Sequence, residues 1–192
     1  CEAGASVVVT SALDVTKTES VETFGKLVRS KTETVQVLLN NAGCALGVET
    51  VLEGKDADWE GMVQTNVLGL MRVSRNIVPL MLDCVGAIVI NVGSIAGQTA
   101  YEGGSVYCAT KAGVMQISRA LRLELCGTPV RVTNLQPGML ETEFSVVRYH
   151  GDKAKADAVY KGVQPLVGED IAEKRLRILP VAENIIGWLV IL

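Results

Sequence analysis

The sequence is poor in the residues that metal centres and disulfide scaffolds require. It holds one histidine, His150, and five cysteines (Cys1, Cys44, Cys84, Cys108 and Cys126), none forming a C-x-x-C pair. Zinc sites group four nitrogen or sulfur ligands closely, so no metal centre is expected, and His150 reads as a surface loop residue. An odd number of scattered cysteines reads as small buried residues in a reducing, cytoplasmic compartment. No block of like charges occurs; 18 Lys and Arg stand against 21 Asp and Glu, a net charge of −3. Neither nucleic acid nor an anionic membrane is therefore expected as a partner. No apolar run approaches the ~20 residues of a membrane span, and the tail IIGWLVIL (185–192) reads as a terminal core strand. There is no basic start followed by an apolar core, no repeat and no low-complexity tract. The first residue is Cys1 rather than Met, so position 1 is not expected to be the native start.

What is present is enough for one domain spanning 1–192, with 48% apolar residues to build its core. The β-branched run SVVVT (6–10) predicts a buried strand, and ALDV (12–15) a second strand end. TKTE (16–19) has capping-box spacing, so a helix should follow to about Ser30, with Val21, Phe24, Leu27 and Val28 on one face. VQVLL (35–39) predicts a strand closed by NNAG (40–43). The stretch 56–82 predicts one long helix on the period of Trp59, Met62, Val63, Val67, Leu70 and Met71, with Asn66 inside it and Pro79 near its end. A strand over 87–92, a glycine-rich loop to Gly104, a helix over 107–125 and a strand over 130–135 follow. Short helices are expected over 141–162, then a last helix from Glu169 and a closing strand. Strands alternating with helices imply a parallel sheet, whose ligands bind beyond the carboxyl ends of the strands. Asp14, Asn41, Ser94 and Pro137 all fall at such ends.

The most informative stretch is SIAGQTAYEGGSVYCATK (94–111). Tyr107 and Lys111 share a face if the segment is helical. An ammonium beside a phenol favours the phenolate, and Ser94 follows the strand AIVINV, so the three groups suit proton exchange at a carbonyl or alcohol carbon. On spacing alone, an ordinary helix with a surface Tyr and Lys would fit equally. Asn66, an amide within an apolar stretch, needs specific partners or costs stability.

Six blocks occur in order: LDVT (13–16), NNAG (40–43), TNVLG (65–69), NVGSIAG (91–97), YCATK (107–111) and QPGMLETEF (136–144). Together they resemble the short-chain dehydrogenase/reductase family, and 141–173 resembles its NADP-dependent 3-hydroxy acid dehydrogenase branch, which acts on serine and allo-threonine. The resemblance implies a Rossmann-like, doubly wound parallel sheet with helices on both faces. It implies Tyr107 as acid/base, Lys111 as its modulator and ribose ligand, Ser94 on the substrate oxygen, and Asn66 as anchor of a relay water. It places Asp14 and Val15 beside the adenine, Asn41, Ala42 and Gly43 along the cofactor, and Pro137, Gly138, Met139, Leu140 and Thr142 over the nicotinamide. NADP is the implied cofactor, with NAD possible; the substrate is a small hydroxy acid or carbonyl compound; the assembly is a homodimer or homotetramer, using the helices 56–82 and 107–125. Arg148, on the covering segment, is the candidate for a substrate carboxylate, because a guanidinium offers a bidentate fork; an exposed arginine in a salt bridge is the plainer reading.

The departures from the family pattern are specific. Its first strand and glycine-rich turn, T-G-x-x-x-G-x-G, have no counterpart here, and a crossover is missing between Thr10 and Ala12, so two segments are expected to be absent. With them go the residues that choose between NADP and NAD. The C-terminal end also follows the pattern more loosely. Two other functions compete. A serine hydrolase would need G-x-S-x-G, but Val92 stands two before Ser94. A non-catalytic relative would explain the missing turn, though not the retained Ser94, Tyr107, Lys111 and Asn66.

Overall fold

The computed structural model describes residues 7–171 and 188–191. Four strands form one parallel sheet: β1 (Val37–Asn40), β2 (Ile88–Val92), β3 (Arg131–Leu135) and β4 (Trp188–Ile191). Their spatial order is β3-β2-β1-β4, with Val37 opposite both Ile88 and Trp188, and Ile88 opposite Arg131. Apolar residues alternate between two buried layers, as the two-residue period of a strand requires. Leu38, Val89 and Val132 face a cluster that includes Val21, Val28, Val73, Ile77 and Leu125, contributed from the helical side. Val37, Leu39, Ile88 and Ile90 face the other way, edged by Val92 and Leu135. Both faces are thus dry, as expected for a parallel sheet.

The helices are α1 (Thr18–Lys31), α2 (Asp56–Val63), α3 (Leu70–Ile77), α4 (Ser105–Glu124), α5 (Phe144–Arg148) and α6 (Lys153–Ala158). In α1 the buried positions are Val21, Gly25 and Val28, close to the predicted face. Its predicted capping box does not form: Lys17 is the N-cap without a side-chain bond, because the Thr16 hydroxyl donates to Asp14 Oδ1 at 2.6 Å. The short Asp14 carboxylate lies nearer to Thr16 than the helix amides do, and wins the hydroxyl.

Two strand expectations fail. Val7, Val8 and Val9 are 76%, 60% and 54% exposed, and no ladder takes residues 7–15 among those described. A β-branched run favours a strand only where its side chains pack on a sheet face, and these valines are exposed instead. The single long helix expected over 56–82 is divided. Between α2 and α3 the chain makes a π-helical turn, Gln64–Gly69, and Val78–Leu80, with Pro79, ends the run as a 3-10 turn. Residues 168–171 are helical as expected; the rest of that helix, and residues 1–6, lie outside the described residues.

Candidate active site

The sheet delivers three strand ends to one edge. Asn40 pairs in register with Asn91, and Val92 with Leu135, so residues 41–43, 93–94 and 136–138 leave the sheet side by side. Below this edge the two paired asparagines form a buried ladder. Asn40 Nδ2 donates to Asn91 Oδ1 at 2.9 Å and to Ser74 Oγ at 3.1 Å, and Asn91 Nδ2 donates to Ser118 Oγ at 2.9 Å. Strand ends and the helices α3 and α4 are thereby locked to a common height.

Ser94 is 9% exposed, with an extended backbone, and its Oγ accepts from Ala96 N at 3.1 Å to cap the turn Ile95–Gly97. This turn lies flush on α4: a Cβ on Gly97 would come 2.7 Å from the Lys111 carbonyl oxygen. Only glycine allows that approach, and it sets Ser94 against the first turn of α4, where Tyr107 sits. Ile95 N donates to Pro137 O at 3.1 Å, which brings in the exit from β3. The Tyr107 ring packs on Phe144, centroids 5.6 Å apart and tilted by 60°.

Lys111 is 5% exposed, and its Nζ donates to Val92 O at 2.8 Å. That ammonium lies 5.8 Å from the centre of the Tyr107 ring. The electrostatics therefore differ from the expectation of an acidified phenol. Burial pushes Tyr107 up to about 12, against the opposing pull of the Ser94 hydroxyl and the Arg148 cation. Burial likewise brings Lys111 down to about 8, with the nearby Cys44 thiol opposing. Desolvation outweighs the opposing charges and hydrogen bonds at both groups.

Asn66 lies in the π-helical turn, 2% exposed. Its Oδ1 accepts from Cys44 N, and its Nδ2 donates to Cys44 O and to Thr110 Oγ1, at 2.8, 2.8 and 3.0 Å. Thr110 Oγ1 in turn donates to Tyr107 O at 2.8 Å. Asn66 thus ties the loop after β1 to the turn of α4 that carries Tyr107. Thr110 and Cys44 escaped the sequence reading; a hydroxyl three residues after Tyr107, on the face of the buried Asn66, is the signal that would have found Thr110.

The remaining candidates divide into two groups. Gly43 joins the site: its Cβ position lies 3.3 Å from both Asn66 Oδ1 and Lys111 Nζ, so a bare backbone faces the two functional groups. Asn41 and Ala42 precede it directly after β1. Pro137 and Gly138 continue from β3, and Gly138 approaches Ile95. Met139 O accepts from Leu166 N, Leu140 is the bridge partner of Leu166, and Thr142 Oγ1 accepts from Phe144 N at 3.2 Å. The second group is occupied elsewhere. The Asp14 carboxylate accepts from Thr16 N at 2.9 Å and from its hydroxyl, which holds its pKa below the usual carboxylate value. Val15 is 6% exposed and its side chain belongs to the core. Three of the five Arg148 N–H donors already have protein acceptors, so the fork expected for a substrate carboxylate is largely spent. His150 lies on the surface as expected, 3.3 Å from Asp58 Oδ2.

A parallel α/β sheet with a serine, a half-buried phenol and a buried lysine gathered at its carboxyl edge defines a Rossmann-like protein. The family model described as short chain dehydrogenase matches residues 1–152, and the chain belongs to that family. It is 45% identical over 174 residues to an NADP-dependent 3-hydroxy acid dehydrogenase of Schizosaccharomyces pombe, covering 91% of this chain and 67% of the relative. It is 46% identical over 164 residues to a sulfoacetaldehyde reductase of Chromohalobacter salexigens, covering 85% of this chain and 65% of the relative. Among solved structures, the closed form of a serine dehydrogenase complexed with NADP+ superimposes with a TM-score of 0.84 at 36% identity, covering 95% of this chain and 79% of the other. The chain spans about two thirds of the length of these curated relatives.

Proposed function

We propose that this chain catalyses NADP-dependent hydride transfer at the carbinol carbon of a small 3-hydroxy acid, or at the matching carbonyl, with Tyr107 as the acid/base. The observation that carries this reading is the half-buried Tyr107 phenol set against Ser94 at a strand end, with Lys111 anchored one turn further along α4. The relatives named for 3-hydroxy acids and serine support the substrate class. The site fits a dinucleotide at its nicotinamide end: Gly43 presents bare backbone beside Lys111 and Asn66, and residues 137–142 run across the neighbouring edge. When bound, the nicotinamide supplies or accepts the hydride.

The chain's own groups handle the proton. At about 12, Tyr107 keeps its hydrogen at neutral pH, so it is ready to protonate the oxygen of a carbonyl being reduced. Ser94 donates to or accepts from the same oxygen and fixes its direction. Lys111, near 8, is still largely charged at neutral pH and stabilises the phenolate left behind, as does the Arg148 cation. Asn66, its carboxamide engaged by Cys44 and Thr110, keeps one lone pair on Oδ1 for a relay water near Gly43. We assign the adenine end to the backbone about Asp14 and Val15, whose side chains are held by Thr16 and by the core.

A second reading, reduction of a sulfonated aldehyde, is favoured by the 46% identity to the sulfoacetaldehyde reductase. NAD remains an alternative cofactor. The free cysteines support a cytoplasmic setting. Among the described residues no helix is long and apolar enough to cross a membrane. A homodimer or homotetramer through the 56–82 region is supported by Val63 and Met71, 38% and 48% exposed on its surface. Turnover of serine, 3-hydroxyisobutyrate, isethionate and a plain secondary alcohol should be compared with NADP+ and NAD+. Serine or 3-hydroxyisobutyrate with NADP+ should be fastest. NADPH binding, followed by tryptophan-excited fluorescence, without turnover of any of the four would instead mark a binding protein.

A further inference from the structure

Residues 139–166 behave as a unit laid over the site. Leu140 bridges to Leu166, Glu141 N donates to Leu166 O at 2.9 Å, and Leu166 N donates to Met139 O at 2.9 Å. Ser145 Oγ and Tyr160 Oη are 2.6 Å apart, and Tyr160 Oη donates to Leu140 O at 3.1 Å. Within this unit α5 has five residues. One helical turn cannot stabilise itself, since nucleation fixes several dihedrals for a single hydrogen bond. Its position must come from contacts at its ends.

One end carries Phe144, packed on the Tyr107 ring. The other carries Arg148, where three distant segments meet. Nε donates to Gly47 O at 3.2 Å, Nη1 to Tyr101 Oη at 2.8 Å and Nη2 to Gly103 O at 3.0 Å. The guanidinium also lies over the Tyr101 ring, 5.3 Å from its centre, and Gly47 N donates back to Arg148 O at 3.0 Å. Gly47 belongs to the loop after β1, and Tyr101 and Gly103 to the loop that leads into α4. Those two loops already touch: a Cβ on Gly103 would strike the Val48 carbonyl, and its φ of +71° suits glycine. The guanidinium closes the seam between them from above.

We propose that Arg148 is a positioning residue: it latches the covering segment onto the two loops, so that α5 holds Phe144 against the Tyr107 ring. The inference rests on Tyr107 as the acid/base, but the latch itself is independent of which substrate is used. A planar fork reaches three acceptors set around it, whereas an ammonium on a flexible stem does not. Arg148→Lys therefore keeps the charge and breaks the latch.

The test is hydrogen exchange on the full chain, wild type against Arg148→Lys, with Tyr101→Phe as a milder variant that removes one acceptor. The reporters are the amides of Val147, Tyr149, His150 and Gly151, all bonded within and just after α5. In Arg148→Lys they should exchange at least tenfold faster while β1 and β2 are unchanged, and Tyr101→Phe should give a smaller change of the same sign. Unchanged reporters in both variants would overturn the proposal. So would acceleration spread equally over β1 and β2, which would make Arg148 a general prop of the fold. Kinetics add a second readout: Arg148→Lys should raise the KM for the hydroxy acid about tenfold and change kcat less than threefold, with the pH profile kept. Unchanged KM and kcat would count against positioning. Because exchange needs no turnover, a failed latch and a failed substrate assignment give different results.

Discussion

At the scale of single residues, burial sets the chemistry more than pairing does. Lys111 shows this with a sign that can be measured. Its proton is lost near 8 in the folded chain but near the ordinary lysine value when unfolded. Between those values the unfolded state holds more protons, so stability rises with pH, by up to about 1.4 kcal/mol per unit. Below 8 both states are protonated and the contribution stays at its minimum. The difference in urea-unfolding free energy between wild type and Lys111→Met should therefore grow from pH 8 to pH 9.5; a constant difference would show that the amine is not desolvated. Gly43 makes a second residue-scale case. Its backbone is not in the left-handed region, so alanine is tolerated there, but its methyl would sit 3.3 Å from Lys111 Nζ and Asn66 Oδ1. Gly43→Ala should weaken NADPH binding about tenfold, equivalent to ~1.4 kcal/mol, with thermal stability little changed.

At the scale of elements, the buried asparagine ladder holds the site level. Asn91 is 0% exposed and joins Asn40 to Ser118. Asn91→Leu would leave a strand amide and a helix hydroxyl short of a partner, so it should cost about 2–3 kcal/mol in chemical denaturation. A near-neutral result would mean the ladder does not clamp α4 to the sheet. The sequence made the elements legible wherever the period was strong: the strands at 37–40, 88–92 and 131–135, and the helix that carries Tyr107 and Lys111. It did not show the π-helical turn, because Val63, Val67 and Leu70 keep an ordinary helical period while Asn66 is drawn toward Cys44. Nor did it show that Val7–Val9 stay outside the sheet, since a β-branched composition reports what can be a strand and not what it packs against. Roles were legible as residue types; Arg148 was legible as a cation over the site but not as one already engaged by two loops.

At the scale of the whole molecule, a parallel sheet brings separate sequence blocks to one edge, and the proposed role of Tyr107 there predicts a pH response. On the proposed role of Tyr107, carbonyl reduction uses the protonated phenol, whose pKa burial raises, so its rate should stay level from neutral pH to about 9. Alcohol oxidation needs the phenolate and should climb over the same range. Initial rates in both directions, at saturating substrate and cofactor, check this; an oxidation rate that is flat with pH would remove the phenol from the proton path.

The most direct test combines two readings on Tyr107→Phe, which deletes one oxygen and keeps the ring on Phe144. NADPH titration by tryptophan-excited fluorescence should give a Kd within about threefold of wild type, and turnover should fall by about 10³-fold, the usual scale for a lost acid/base group. A variant that binds NADPH and keeps a tenth or more of its turnover would contradict the role of the phenol.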